Sequence, residues 1–147
     1  MLPEVYFLRY AFPCARNLVD LRKTMTEEAY EEMRKAVETD TPMDREYLEN
    51  TFKKAMQGFR KISEDIWRIE VIREYFWNQH EENLSKDLPP MVRRLCLVRK
   101  GTLIKQFGKA FKVIFDDEET RIITPLYKNA KVGDTVMVHY GHAAEKV

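Results

Sequence analysis

The chain has 147 residues, 44% hydrophobic and 33% charged, a length for one ordinary domain or two small ones, which excludes a large multidomain enzyme. Its 25 basic and 24 acidic residues leave a net charge of +1, so the chain has neither a polyanionic tail nor a basic character throughout. Two cysteines cannot build a disulfide framework, no apolar run reaches the roughly 18 residues that cross a bilayer, and Glu4 and Arg9 interrupt the apolar stretch that a secretory leader would need. The expectation is a reduced, soluble, cytosolic protein with no membrane partner.

From the start, the apolar stretch Val5 to Leu21 reads as a helix broken or started near Pro13. The next helix opens at Thr24 or Thr26, with Glu27 and Glu28 placed for the helix dipole, and carries Ala29, Met33, Ala36 and Val37 on one face. A third follows Thr41-Pro42 and presents Tyr47, Leu48, Phe52, Ala55, Met56 and Phe59 up to Lys61. A fourth begins at Ser63 and buries Ile66, Ile69, Ile72 and Phe76, flanked by Trp67 and Trp77. Together they predict a small helical bundle. The aromatic set Tyr6, Phe7, Tyr10, Phe12, Tyr75, Phe76 and Trp77 reads as its core, with a groove for a partner helix as the alternative.

The segment from Asn83 to Pro90, with its cap formers and diproline, reads as a linker. Charge changes sign across it: residues 1–90 hold 14 Lys or Arg and 18 Asp or Glu, residues 91–147 hold 11 and 6. Four of the five glycines also follow residue 100. Beyond the linker the apolar period drops to two, as in Phe111, Val113 and Phe115, and again in Val136, Val138 and Tyr140. Strands are expected at Arg94–Val98, Thr102–Phe107, Lys109–Phe115, Thr120–Thr124 and Thr135–Tyr140. Five short strands favour closure into a barrel, which hides edges that an open sheet would expose. The expected fold class is therefore α+β: an α-helical bundle over residues 1–88, then a small five-stranded barrel, OB- or SH3-like, over 89–147.

The barrel carries two blocks of specific sequence. Lys131-Val-Gly-Asp-Thr-Val-Met-Val-His-Tyr-Gly-His-Ala-Ala-Glu-Lys146 resembles the closing signature of the HypC/HybG/HupF family of hydrogenase-formation chaperones, and Cys96-Leu97-Val-Arg-Lys-Gly101 resembles its opening Cys-Leu-Ala-Ile-Pro-Gly. The resemblance covers about residues 93–147 and rests on Cys96, Leu97, Gly101, Gly133, Asp134, Val138, His139 and Gly141. It departs from the family in Lys100, which stands where proline is usual, and in the internal position of Cys96, since the family's cysteine follows the initiator methionine. What it implies is a chaperone or accessory protein that docks to a HypD-like maturation protein and to a hydrogenase large-subunit precursor during assembly of the nickel-iron centre. Cys96 would be the partner or iron ligand and His139 its helper, handling a transient iron group with no stably bound cofactor. A thiolate is a soft ligand suited to iron, and a neutral imidazole can accept a hydrogen bond or bind metal. Strand parity, with Val136, Val138 and Tyr140 inward, turns His139 outward, and it places Cys96 opposite Leu95 and Leu97, so both are expected on an accessible side.

Other residues carry weaker signals. Cys14 reads as a buried thiol, with pairing to Cys96 or a Cys14/Cys96/His139/His142 metal site as alternatives. His142 reads as a packing residue, and His80 as a favourable charge at a helix C-terminus. The competing class is a small nucleic-acid-binding barrel, with Arg93, Arg94, Arg99, Lys100, Lys105, Lys109 and Lys112 near Phe107 and Phe111; Phe111 is expected in the core, which argues against stacking there. No phosphate-cradling glycine loop, nucleophile elbow or metalloprotease helix occurs in the sequence, so enzymatic turnover is not expected.

Overall fold

The computed structural model describes residues 1–84 and 86–147. Ser85, one of the cap formers in the expected linker, lies outside the described residues. The chain divides into two compact units, Met1–Pro89 and Pro90–Val147. Among the described residues no helix is long and apolar enough to cross a membrane.

The first unit is helical. Helix α1 runs unbroken over Pro3–Asp20, with Pro3 in its first turn and Pro13 inside it, so the expected break at Pro13 does not occur; the proline merely withholds one donor from the ladder. Helix α2, Glu27–Glu38, is capped by Thr26, whose hydroxyl accepts the Ala29 N–H at 3.1 Å. The expected third helix is two helices, α3 (Arg45–Thr51) and α4 (Lys53–Ile62), hinged at Phe52 with φ −110° and ψ 57°. That hinge turns the Phe52 ring edge-on to Phe7, centroids 5.3 Å apart, and core packing overrides a continuous helical pattern. The expected fourth helix starts late, as α5 (Ile69–Glu74), and continues through a π-helical turn, Tyr75–Gln79.

Phe7 is fully buried and meets Phe52, Phe59, Trp67 and Phe76 at 5.3–6.2 Å, so one ring from α1 joins four other segments. The polar ends of the neighbouring tyrosines are used as acceptors. Trp77 Nε1–H donates to Tyr10 Oη at 2.8 Å, and Arg73 Nε–H donates to Tyr6 Oη at 3.2 Å. His80, expected as a charge at a helix C-terminus, is instead buried beside Tyr75, and burial pushes its pKa down to about 4. It is therefore neutral near pH 7 and is no charge partner for a helix end.

The second unit begins with a helix where a strand was expected. Pro90 opens α6, Pro90–Cys96, because a ring-locked φ suits the first helical position, and Val92, Leu95 and Cys96 then fall at helical spacing. Five strands follow: β1 (Arg99–Phe107), β2 (Ala110–Phe115), β3 (Thr120–Pro125), β4 (Thr135–His139) and β5 (His142–Lys146). They close into a barrel in the order β1-β2-β3-β5-β4, antiparallel throughout except for a short parallel β3–β5 contact. The strand number agrees with expectation but the membership does not, since Arg94–Val98 is not a strand and β5 was missed. Ala143 and Ala144 have weak strand propensity, yet both are fully buried where β5 closes the barrel. Inside lie Leu103, Phe111, Val113, Phe115, Ile123, Val136, Val138 and Ala143.

Candidate functional site

The two motif blocks separate, in three dimensions, into scaffold and candidate site. Gly101 is scaffold: a Cβ there would stand 2.6 Å from Val113 Cγ2 and 3.0 Å from the Ile114 carbonyl, so β1 approaches β2 too closely for any side chain. Gly133, with φ +99°, makes the turn into β4. Asp134, 2% exposed, holds that turn: its carboxylate accepts the Lys131 N–H at 3.0 Å and the Tyr127 hydroxyl at 2.9 Å, with Lys146 Nζ at 3.3 Å. The backbone donor, then Tyr127 and Lys146, keep its pKa below the ordinary aspartate value. Val138 is core, and Gly141 sits in the short turn to β5 with open space around it. Leu97, half-buried, donates its N–H to the Arg94 carbonyl at 3.3 Å and ends α6.

Cys96 and His139 remain. Cys96 is the last residue of α6 and His139 the last of β4, so neither comes from the first or final strand. Both are closed to solvent, at 2% and 0% exposure, which corrects the expectation that they lie on an accessible side. Parity still assigns His139 to the face opposite Val136 and Val138, together with Met137, but Met137 is 6% exposed as well. Alternation decides which face a residue occupies, whereas what packs over that face decides whether it is wet.

The residue that sequence reading misplaced is Tyr140. It was expected inward with Val136 and Val138, yet β4 ends at His139 and Tyr140 turns to φ +54°, outside the alternation. Its hydroxyl lies 2.7 Å from Cys96 Sγ, in a hydrogen bond that either atom can donate, and its ring centroid lies 5.3 Å from that of His139. Its N–H donates to the Leu95 carbonyl at 3.1 Å, and its own carbonyl accepts Arg121 Nη1–H at 3.0 Å. Tyr140 thus meets both the motif's thiol and its imidazole, while its backbone ties α6 to the barrel. The available sequence signal was its place between His139 and Gly141, where a glycine-adjacent residue can leave the strand.

Charged groups surround this end of the barrel. Glu119 accepts from Arg99 at 2.8 Å and pairs with Arg94 of α6; both hold its carboxyl below the usual glutamate range. Partial burial works against the charge of Arg99, but hydrogen bonds to Glu119 and to Asp117 keep its pKa above the ordinary value. The guanidinium carbons of Arg99 and Arg121 lie 4.1 Å and 5.2 Å from the Phe115 ring centroid. Burial draws the Arg121 pKa down, with Arg99 and Arg94 adding to that and Glu119 opposing it.

Of the remaining candidates, His142 is the register partner of His139 across the β4–β5 ladder, and Cys14 belongs to the first unit. Cys14 lies in α1, its Sγ 3.2 Å from the Ala11 carbonyl, and neither cysteine is in a disulfide. His142 Nδ1–H donates to the Thr124 carbonyl at 3.2 Å. Among the described residues no three His, Cys, Asp or Glu side chains gather as a metal site, so the four-residue cluster is not assembled. No family model matches this chain, and no curated protein matches it.

Proposed function

We propose that the second unit is a protein-docking barrel of the hydrogenase-formation-chaperone kind, an OB-type closed barrel that covers a partner during assembly of a nickel-iron centre. The observation that carries this reading is that Cys96 and His139, distant in sequence, both meet Tyr140. The Tyr140 hydroxyl can donate to a thiolate at Cys96, and the thiolate is the form that binds a soft metal or attacks. One thiolate with a neighbouring imidazole suits an iron fragment that arrives carrying its own ligands, as cargo; it does not suit a resident site that needs three or four protein donors. The protein then acts by docking and not by turnover. The helical unit, a small bundle in this reading, supplies a second docking surface.

Because sulfur and imidazole are both buried, docking must move Tyr140 or α6. Among the ties that hold them are the Tyr140–Cys96 hydrogen bond, the Tyr140 N–H to the Leu95 carbonyl, the Tyr140 carbonyl to Arg121, and the Arg94–Glu119 pair. Each hydrogen bond is worth about 0.5–1.5 kcal/mol, and the exposed ion pair about 0–1, so a partner surface that offers comparable bonds can displace them.

Affinity capture with the full chain tests the proposal. Wild type is expected to retain a HypD-like maturation protein or a hydrogenase large-subunit precursor, and Cys96→Ala to lose it. Capture unaffected by the substitution removes Cys96 from the mechanism; capture of neither protein removes the chaperone reading.

A further inference from the structure

The outer face of β1, β2 and β3 has a composition that the Cys96 end does not explain. A register irregularity between Leu103 and Lys105 puts an extra residue into β1, after which Lys105 pairs with Lys112 and Phe107 with Ala110. Lys112 in turn pairs with Ile122 of β3. One row across three strands therefore reads Lys105, Lys112, Ile122, on the face opposite the buried Leu103, Phe111, Val113 and Ile123. Two lysines directly opposite each other on one face repel and destabilise an isolated sheet. Among the described residues no salt bridge relieves them: four of the barrel's carboxylates pair elsewhere, Asp116, Asp117 and Glu119 with Arg94 and Arg99, and Asp134 with Lys146.

Beside this row stand apolar groups that have no reason to be wet in an isolated barrel. Phe107 is 47% exposed and Ile122 56%, with Ile104, at the irregularity, 42%. Lys105 Nζ lies 5.1 Å from the Phe107 ring centroid, so the exposed ring already carries a cation beside it. Lys109 extends the positive row in the turn that Gly108 makes with φ +63°. Phe111, the other aromatic of this region, is 2% exposed and serves the core. The strand irregularity is what turns Lys105 and Phe107 to the outer face.

We propose that this face binds single-stranded nucleic acid, with Phe107 stacking on a base and Lys105, Lys109 and Lys112 holding successive phosphates. A positive track with an accessible ring is the combination that single strands use, because every base offers a flat face whatever its identity. An acidic protein segment would satisfy the lysines but would leave Phe107 without a role. The inference goes beyond the docking reading and uses neither Cys96 nor His139.

Fluorescence anisotropy of a labelled oligothymidine of about 12 nucleotides, titrated with the full chain at several salt concentrations, tests it. Three lysines predict a slope of log K against log salt near −2, at about 0.7 per phosphate neutralised on a single strand. The Lys105→Gln, Lys112→Gln double variant is expected to reduce the slope by about 1.4. Phe107→Ala is expected to weaken binding at least about five-fold, at the low end of a base-stacking contribution, without changing the slope. All three side chains are on the outer face, and circular dichroism checks that the variants remain folded. Cys96→Ala is expected to bind as wild type does, which separates this surface from the docking site. No anisotropy change at low salt overturns the proposal, as does indifference to Phe107→Ala. Equal displacement of the oligonucleotide by polyglutamate from wild type and Phe107→Ala assigns the face to acidic protein and also overturns it.

Discussion

The helical unit and the barrel solve the problem of an interior with different side chains. In the helical unit large rings span several segments at once, Phe7 above all, and their polar neighbours end on hydrogen bonds from Arg73 and Trp77. In the barrel the interior holds Leu, Ile, Val, Ala and two Phe, and specificity comes from backbone geometry: no Cβ fits at Gly101 in β1, and Asp134 ties the entry to β4. The helical unit therefore depends on few large contacts, the barrel on many small ones reinforced by backbone geometry. Helices of ten residues or fewer are marginal alone and need such ring contacts to persist, whereas a closed barrel satisfies its backbone by pairing.

The comparison breaks most sharply at Phe7. Phe7→Ala is expected to cost about 3–5 kcal/mol in the helical unit, read from urea unfolding by tryptophan emission, since both tryptophans lie there. The alkylation rate of Cys96 reports the barrel in the same sample and is expected to stay unchanged; a parallel rise would show that the two units unfold as one.

Acid is the next test. His80 has a folded pKa of about 4 against an ordinary value near 6.5, so its neutral burial costs nothing above pH 6.5. Below that pH the unfolded chain takes up the proton first, and the helical unit is expected to lose about 3 kcal/mol between pH 6.5 and 4. His80→Gln should flatten this loss in urea titrations across that range. In the barrel His142 is displaced the same way by burial, opposed by its hydrogen bond to Thr124, and a smaller loss is expected. Asp134, held below its ordinary value, stabilises the barrel above about pH 4 and ceases to do so as the pH falls through its folded pKa.

The smallest effect sharpens the comparison at the candidate site. Tyr140→Phe deletes the hydroxyl that meets Cys96 Sγ and is expected to raise Cys96 alkylation about two- to ten-fold, the equivalent of about 0.5–1.5 kcal/mol in the opening that exposes it. An unchanged rate would mean that this hydroxyl does not hold α6 closed over the sulfur.

Several of these features were legible before the coordinates. The Thr26 cap, the strands β2 and β3, and the burial of Tyr6, Phe7, Tyr10, Phe12, Tyr75 and Phe76 follow from local chemistry and periodicity. Pro90 was misread as a terminator because a proline ends one helix and begins another with the same fixed φ, and nothing local says which. Phe52 was read as mid-helix because its spacing fits, yet its ring was wanted elsewhere. Residues Ala143 and Ala144 carry no strand signal at all, because the need for a small side chain there is created by the strands around them.

What the sequence determined by itself is the change of period near residue 90, the turn chemistry of Gly133 and Asp134, and which residues alternate, since each depends on neighbours a few positions away. What tertiary structure alone decided is that His139 and Cys96 are dry, that Tyr140 leaves its strand and meets both, and that Phe107 faces water. Burial and contact are properties of what arrives from elsewhere in the chain, and a local pattern holds no record of it.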